Sequence, residues 1–291
     1  MTRSMPILPV LFVAAASLMP MQAQDRAHEL AAQAAAQHSK QCPDGLTLDK
    51  CHAEFPDGCS TAAKPNYDAY LDFLKDQDPG SMEPSTKNLA SADFRKLEAA
   101  SPKGLKSTNH SKFADKFAAL GEGNIHTVVA YLYFAVDTSK GTSARPAESE
   151  TCNCKLTDPT TFDYHLGFGF DSTLAASASK HPAQDTPEFV ALEKDSVVAE
   201  MTPFIRTKHP NWTFSRVRAL EGQQVKIVGQ LMADNKHFNK NDDCQFRSAD
   251  SGCWRSTIWE VHPITQFYVC QAAGGCTASS PDKDWADLDE K

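Results

Sequence analysis

The spacing of apolar residues changes once along the chain. Up to residue 120 they recur at helical intervals, and from residue 125 the period shortens to two. Residues 25–41 are alanine-rich and helical by propensity. "NYDAYLDFLKD" sets Tyr67, Tyr70, Leu71 and Leu74 on one helical face. A further helix is predicted over 91–100. "SKFADKFAAL" spaces Phe113, Phe117 and Leu120 helically, with Ser111 as N-cap and Gly121 as stop. Between them, "CPDGLTLDKCHAEFPDGCS" is turn-rich and reads as a stapled loop, and "PGSMEPSTKN" reads as a linker. No internal repeat is visible.

Beyond residue 125 the strands follow in order. "IHTVVAYLYFAVD" is β-branched and aromatic. "TFDYHLGFGFD" alternates Tyr164, Leu166, Phe168 and Phe170 against Asp163, His165, Gly167 and Gly169. "DSVVAEMTPF" ends at Pro203, "HPNWTFSRVRALEG" reads as a helix stopped at Gly222, and "QQVKIVGQLMAD" and "STIWEVHPITQFYVC" are two more strands. Three strands, a helix and two strands is the order of a small five-stranded OB-like barrel. Gly167, Gly169 and Gly229 suit its tight bends. The expectation is an α+β chain: a small antiparallel OB-like β-barrel over 121–276, preceded by a helical, cysteine-containing extension over 24–120. Val129 or its neighbour Leu132, Leu166, Phe168, Ile227, Leu231, Trp259 and Val261 are expected in the core. The acidic tail, 277–291, is expected to be loose and disordered.

The blocks "ETCNC", "DYHL", "VVAEMTP", "VKIVGQLMADNKH" and "RSTIWEVHPI" resemble a widespread, functionally uncharacterised family of bacterial proteins. Its shared features are D-x-H, VV-x-E-x-TP, G-x-L-x-x-D-x-x-H and WE-x-HP. The resemblance covers roughly residues 120–270 and implies a shared fold and a shared polar site, with no activity attached. The Cys244/Cys253 pair and the cysteine-rich N-terminal region depart from the pattern.

Composition adds compartment. Arg3, the apolar run "ILPVLFVAAASLM" and the small and polar residues after it read as a signal peptide over 1–23, cleaved after Ala23. The run is too short to span a bilayer, and no other membrane span is visible. The mature chain is therefore expected to be soluble and secreted or periplasmic. All nine cysteines lie beyond the leader, so disulfides are the default. Cys244 with Cys253 and Cys270 with Cys276 are plausible local pairs. The odd count leaves one thiol unpaired. "CNC" at 152–154 is ambiguous, since a bond across one residue is strained. A net charge of −8 argues against strong nucleic-acid binding and against anionic lipid. Arg206, Lys208, Arg216 and Arg218 around Trp212 could form a basic patch, but a solvated helix face explains them as well.

Candidate chemistry lies in "WEVHP". If Trp259 and Val261 face the core, Glu260 and His262 point outward together. Asp163 with His165, Glu200 with Thr202, and Asp234 with His237 do the same on other strands. Strand order groups Asp163, His165, Glu200 and His262, and leaves Asp234, His237 and Glu260 in the same cluster or a second one. Neutral histidines with carboxylates suit a divalent transition metal such as zinc. His165, His262 and Glu200 are the first-choice ligands, with Asp163, Asp234 and His237 as further candidates. Glu200 and Glu260 are the candidate catalytic bases. A hydrogen-bonded network tying the rim together would use the same residue types. Two readings follow. One is an exported binding or structural module, with a small molecule or oligosaccharide as ligand. The other is a metal-dependent hydrolase of phosphodiesterase or nuclease type.

Overall fold

The computed structural model describes residues 42–59, 68–80, 82–85, 87–139, 149–247 and 249–290. The predicted leader, the alanine-rich helix and Tyr67 lie outside the described residues. The N-terminal part holds α1 (Leu48–Glu54), α2 (Ala69–Lys75), the short strand β1 (Asn88–Leu89), α3 (Ser91–Ala100) and α4 (Ala114–Leu120). There follow β2 (Ile125–Asp137), β3 (Tyr164–Gly169), α5 (Ser172–Ala178), α6 (Pro187–Asp195), β4 (Val197–Met201), α7 (Pro203–Arg206), α8 (Phe214–Arg218), β5 (Gln224–Ala233), β6 (Trp259–Cys270) and β7 (Trp285–Asp287).

Local chemistry sets these bounds. Asp68 caps α2 by accepting from the Leu71 amide. Gly121, at φ 103°, ends α4 in the left-handed conformation that lacks a Cβ penalty. Thr202 caps α7 and Pro203 opens it, so the "TP" of the third barrel strand is also a helix start. α1, capped by Thr47, lies inside the stretch read as a stapled loop, and two further helices were not legible as such: α5, capped by Asp171, and α6, capped by Thr186. α5 and α6 are short and inserted between the second and third barrel strands. Ser111 lies inside a 3₁₀ turn, His110–Phe113, rather than capping α4.

Five strands close on themselves in the order β2-β3-β4-β6-β5, and β5 pairs back with β2. The long strand β2 serves both neighbours: Ile125 to Tyr131 pair with β5, and Tyr131 to Asp137 pair with β3. Closure leaves no free edge within the ring. The barrel is not purely antiparallel, because β4 and β6 run parallel, with Ala199 opposite Val261. At Gly229 a Cβ would lie 2.5 Å from the Pro263 carbonyl oxygen, and at Gly169 it would lie 1.8 Å from the Tyr133 ring. Glycine is thus required by close approach at both places.

Leu132, Leu166, Phe168, Ile227, Leu231, Trp259 and Val261 all sit in one buried core. Val129 is only half-buried, so of the two neighbours Leu132 is the core residue. Truncating Leu231, 1% exposed, to alanine should cost about 2–5 kcal/mol in reversible denaturant unfolding. A loss below about half a kcal/mol would mean that this side chain carries no core packing.

The acidic tail does not run loose. Trp285 to Asp287 pair with Cys270 to Tyr268, and Trp285 and Leu288 are buried. Two apolar side chains in a charged segment suffice to dock it. Among the described residues no helix is long and apolar enough to cross a membrane.

Four disulfides are formed: Cys42–Cys59, Cys51–Cys154, Cys244–Cys253 and Cys270–Cys276. Cys152 is the free thiol. Cys51–Cys154 joins α1 to the loop before β3 and so fastens the N-terminal layer to the barrel.

Candidate functional site

Period-two geometry places the site. His165 lies directly opposite Glu200 across β3 and β4, and the Ala199–Val261 pair sets His262 beside Glu200. Leu166, Ala199 and Val261 point into the core, so their neighbours His165, Glu200 and His262 point away from it together. Pro263 fits because β6 bulges there. Val261 opposes Leu231 and Ile264 opposes Gly229, leaving His262 and Pro263 against Gln230 alone. Gln230 donates from Nε2 to the His262 carbonyl oxygen, so the missing proline N–H costs no ladder bond.

The outward face is not a rim in solvent. α2 lies over it, with Tyr70, Leu71, Phe73 and Leu74 packing on Met232. Gln230 also donates to the Leu74 carbonyl oxygen. Asp163, Glu260 and His262 are fully buried, and Glu200 and Asp234 nearly so. The barrel therefore has a second interior, which is polar and lies between strands and helix.

Within that layer the groups are joined. His165 Nε2 lies 3.5 Å from Glu200 Oε1 and 3.7 Å from Glu150 Oε1. His262 Nδ1 lies 3.3 Å from Glu200 Oε2 and 3.3 Å from Glu260 Oε1. Asn153 Nδ2 donates to Asp163 Oδ2 at 2.6 Å. Lys75, at the end of α2, places Nζ 2.9 Å from Glu150 Oε2 and 2.8 Å from Asp234 Oδ2. Arg255 pairs with Glu260 at 2.5 Å. His165 and Glu150 keep 26% and 31% side-chain exposure, so this edge of the centre reaches solvent.

Of the residues expected from sequence, Asp163, His165, Glu200 and His262 converge. Asp234 joins through Lys75. Glu260 is sealed between Arg255 and His262, a position that orients the histidine and gives no contact with solvent. His237 stands at the margin, 3.8 Å from Asp234 and 3.1 Å from Asp242, with its ring edge-on to Trp254. Lys75, Glu150, Asn153 and Arg255 were not anticipated. Lys75 had one available signal, its i+3 spacing from Asp72 on an otherwise apolar helix face. Glu150 and Asn153 flank the unpaired Cys152. Of the basic residues near Trp212, Arg206 and Lys208 are engaged with other partners. Arg206 donates to the Thr160 and Phe162 carbonyl oxygens and stacks on Tyr164, Lys208 pairs with Asp78, and Trp212 is buried.

The electrostatics ask for positive charge. Burial disfavours charge on His165, but the Glu200 and Glu150 carboxylates outweigh it and raise its pKa to about 9. His262 is raised likewise, against burial, chiefly by Glu200. Burial pushes Glu200 up, but His165 and His262 bring it down to about 2. Lys75 overcomes burial to hold Glu150 well below its ordinary value. Asp163, lacking a cation of its own, is raised to about 7 by burial and by Glu200 and Glu150. The Cys152 thiol is pushed up by burial and by Glu150, which keeps it neutral.

Two overlapping sets could hold an ion: Glu150, His165 and Glu200, and Asp163, Glu200 and His262. In each, one ligand atom per residue lies within 4.8 Å of the others. His165 Nε2, Glu200 Oε2, Asp163 Oδ1 and His262 Nε2 are all buried without a hydrogen-bond partner. Buried polar atoms left unpaired are costly, and each of the two sets contains at least two of these four. Cavities of about 420 and 390 Å³ lie elsewhere, one beside Phe189, Phe214 and Glu221, the other between Leu97, Leu120 and His126. Their size does not make them the chemical centre, since neither contains a residue of these two sets.

Comparison with protein-family models, with curated proteins and with solved structures finds no match to the chain.

Proposed function

We propose that this chain is an exported, OB-like barrel protein that binds a divalent transition metal at Glu150, His165 and Glu200, and that the bound metal serves hydrolysis of an ester. Export is supported by the disulfides and by the leader-like sequence at 1–23. The OB-like assignment is supported by the closed ring of five strands and by the parallel pairing of its third and fifth members.

One observation carries the metal reading. The separations from His165 Nε2, 3.5 and 3.7 Å, are too long for good hydrogen bonds. Metal–ligand bonds of 2.0–2.2 Å put donors roughly 2.8–4.4 Å apart, so both separations fit two ligands on one ion. One histidine and two carboxylates are a donor set for zinc, manganese or iron, with positions left for water. A cation held there would supply a water of lowered pKa.

The protein side chains do the rest. Lys75 fixes Glu150 through Oε2 and leaves Oε1 turned to His165. Glu200 is held on β4 opposite His165. The exposed edge at Glu150 and His165 is where a substrate could reach the centre. Net charge −8 disfavours polyanions, so a small ester suits this edge better than nucleic acid.

A second reading, a binding or structural module, rests on Lys75. Its two ion pairs bind α2 to the barrel and would do so without any metal. Elemental analysis and melting curves separate the two. The metal reading expects wild type to retain zinc or manganese through dialysis and to melt higher with it. It also expects metal-dependent cleavage of bis(4-nitrophenyl) phosphate. His165→Ala should lose one equivalent, weakening that ion by more than the roughly 10–100-fold that an outer-shell change costs. Wild type that takes up neither metal and melts unchanged would leave the structural module as the function.

A further inference from the structure

We propose that the centre is dinuclear: a second divalent cation sits on Asp163, Glu200 and His262, and the Glu200 carboxylate bridges it to the ion at Glu150 and His165. This rests on the metal reading above and extends it. Glu200 turns its two oxygens to different partners. Oε1 lies 3.5 Å from His165 Nε2, and Oε2 lies 3.3 Å from His262 Nδ1. A carboxylate with one oxygen toward each histidine can take part in two ligand sets, and two-metal sites hold their ions about 3.5–4 Å apart.

The second set is a built site and not a loose acidic cluster. Asp163 and His262 are 0% exposed and Glu200 2%. Each keeps one buried atom without a hydrogen-bond partner: Asp163 Oδ1, His262 Nε2 and Glu200 Oε2. The remaining atoms are already engaged. Asn153 donates to Asp163 Oδ2, and Glu260, itself held by Arg255, lies against His262 Nδ1. A ligand histidine backed by a carboxylate, and a ligand carboxylate backed by an amide, are the usual outer supports of a metal.

Charge points the same way. With both histidines neutral, the carboxylates of Glu150, Asp163, Glu200, Asp234 and Glu260 face the fixed cations Lys75 and Arg255, leaving three uncompensated negative charges. One divalent ion leaves one of them. A second ion together with a hydroxide brings the layer to neutrality, taking the place of the protons that His165 and His262 otherwise hold. Lys75 occupies the flank between Glu150 and Asp234, so any second ion belongs on the Asp163 side.

The test is metal stoichiometry on the full mature chain, stripped with chelator and reloaded with Mn²⁺. Wild type should bind two equivalents, and its electron paramagnetic resonance should show the broad, multiline signal of a coupled pair. His262→Ala and Asp163→Asn should each keep one equivalent with an isolated six-line signal. His165→Ala should also keep one. The wild-type spectrum needs no variant to fold, so it decides on its own. One equivalent with a six-line spectrum in wild type overturns the second ion and leaves the mononuclear reading standing. No bound Mn²⁺, and none with Zn²⁺ by elemental analysis, overturns both.

Discussion

Replacing Lys75 by methionine is expected to destabilise the protein by about 3–5 kcal/mol, as removal of one member of a buried ion pair does. Lys75 is 2% exposed and ends a helix whose other buried side chains are mostly apolar. Methionine keeps most of the volume, so cavity formation contributes little. What is lost is the ammonium that lies between Glu150 and Asp234. Asp234 is buried, and its Oδ2 has no hydrogen bond; His237 Nε2 is 3.8 Å away, beyond hydrogen-bond reach. The carboxylate would therefore take up a proton or draw in water, and either costs free energy. Pairing Lys75→Met with Asp234→Asn should return part of the loss, because the double variant removes both charges. Denaturant unfolding of the two single variants and the double gives the coupling energy. A single-variant loss under about 1 kcal/mol, or strict additivity, would show that Lys75 is not what neutralises the polar layer.

The sequence made the barrel legible because its strands alternate strongly. "IHTVVAYLYFAVD" coincides with β2, and Leu231, Trp259 and Val261 lie where alternation puts them. Alternation also paired His165 with Glu200 and His262, since residues one step from a core position share the opposite face. It could not say what lies over that face. The covering helix is local in sequence but contacts the barrel across more than 150 residues, as in Lys75 with Asp234 and Gln230 with Leu74. Such non-local docking leaves no periodic signal. The apolar side of α2 was visible, but not that it meets Met232 instead of the main core. The loop carrying Glu150 and Asn153 has no period at all; it is fixed by a disulfide to a residue 103 positions earlier, and connectivity cannot be read from spacing. The tail misled for a different reason. Its charge suggested a solvated strand of chain, yet Trp285 and Leu288 decide its place.

The same disulfide governs the other large expected effect. Substituting Cys51→Ser and Cys154→Ser together should cost about 4.7 kcal/mol by the loop-entropy relation, because the bond closes a loop of 103 residues. The Cys244–Cys253 bond spans only 9 residues, and the same relation gives about 2.6 kcal/mol for its removal. The ordering follows from chain statistics, since a longer loop excludes more of the unfolded ensemble. Position adds a consequence that entropy does not. Cys154 is four residues from Glu150 and next to Asn153, which steadies Asp163. Without the bond, the loop is still tied to α2 through Lys75–Glu150 and to the start of β3 through Asn153–Asp163. Both of those ties belong to the candidate centre. Metal affinity should therefore fall in the Cys51/Cys154 variant by about the 10–100-fold expected when outer support is lost. In the Cys270/Cys276 variant it should not change, because that bond closes a 6-residue loop beside β7, away from the polar layer. Thermal or denaturant unfolding of the three double variants, with zinc affinity measured on each at a temperature where all are folded, makes the comparison. Equal destabilisation by all three would rule out the loop-length account. Unchanged zinc affinity in the Cys51/Cys154 variant would mean that the loop bearing Glu150 is held by the barrel itself and not by the N-terminal staple.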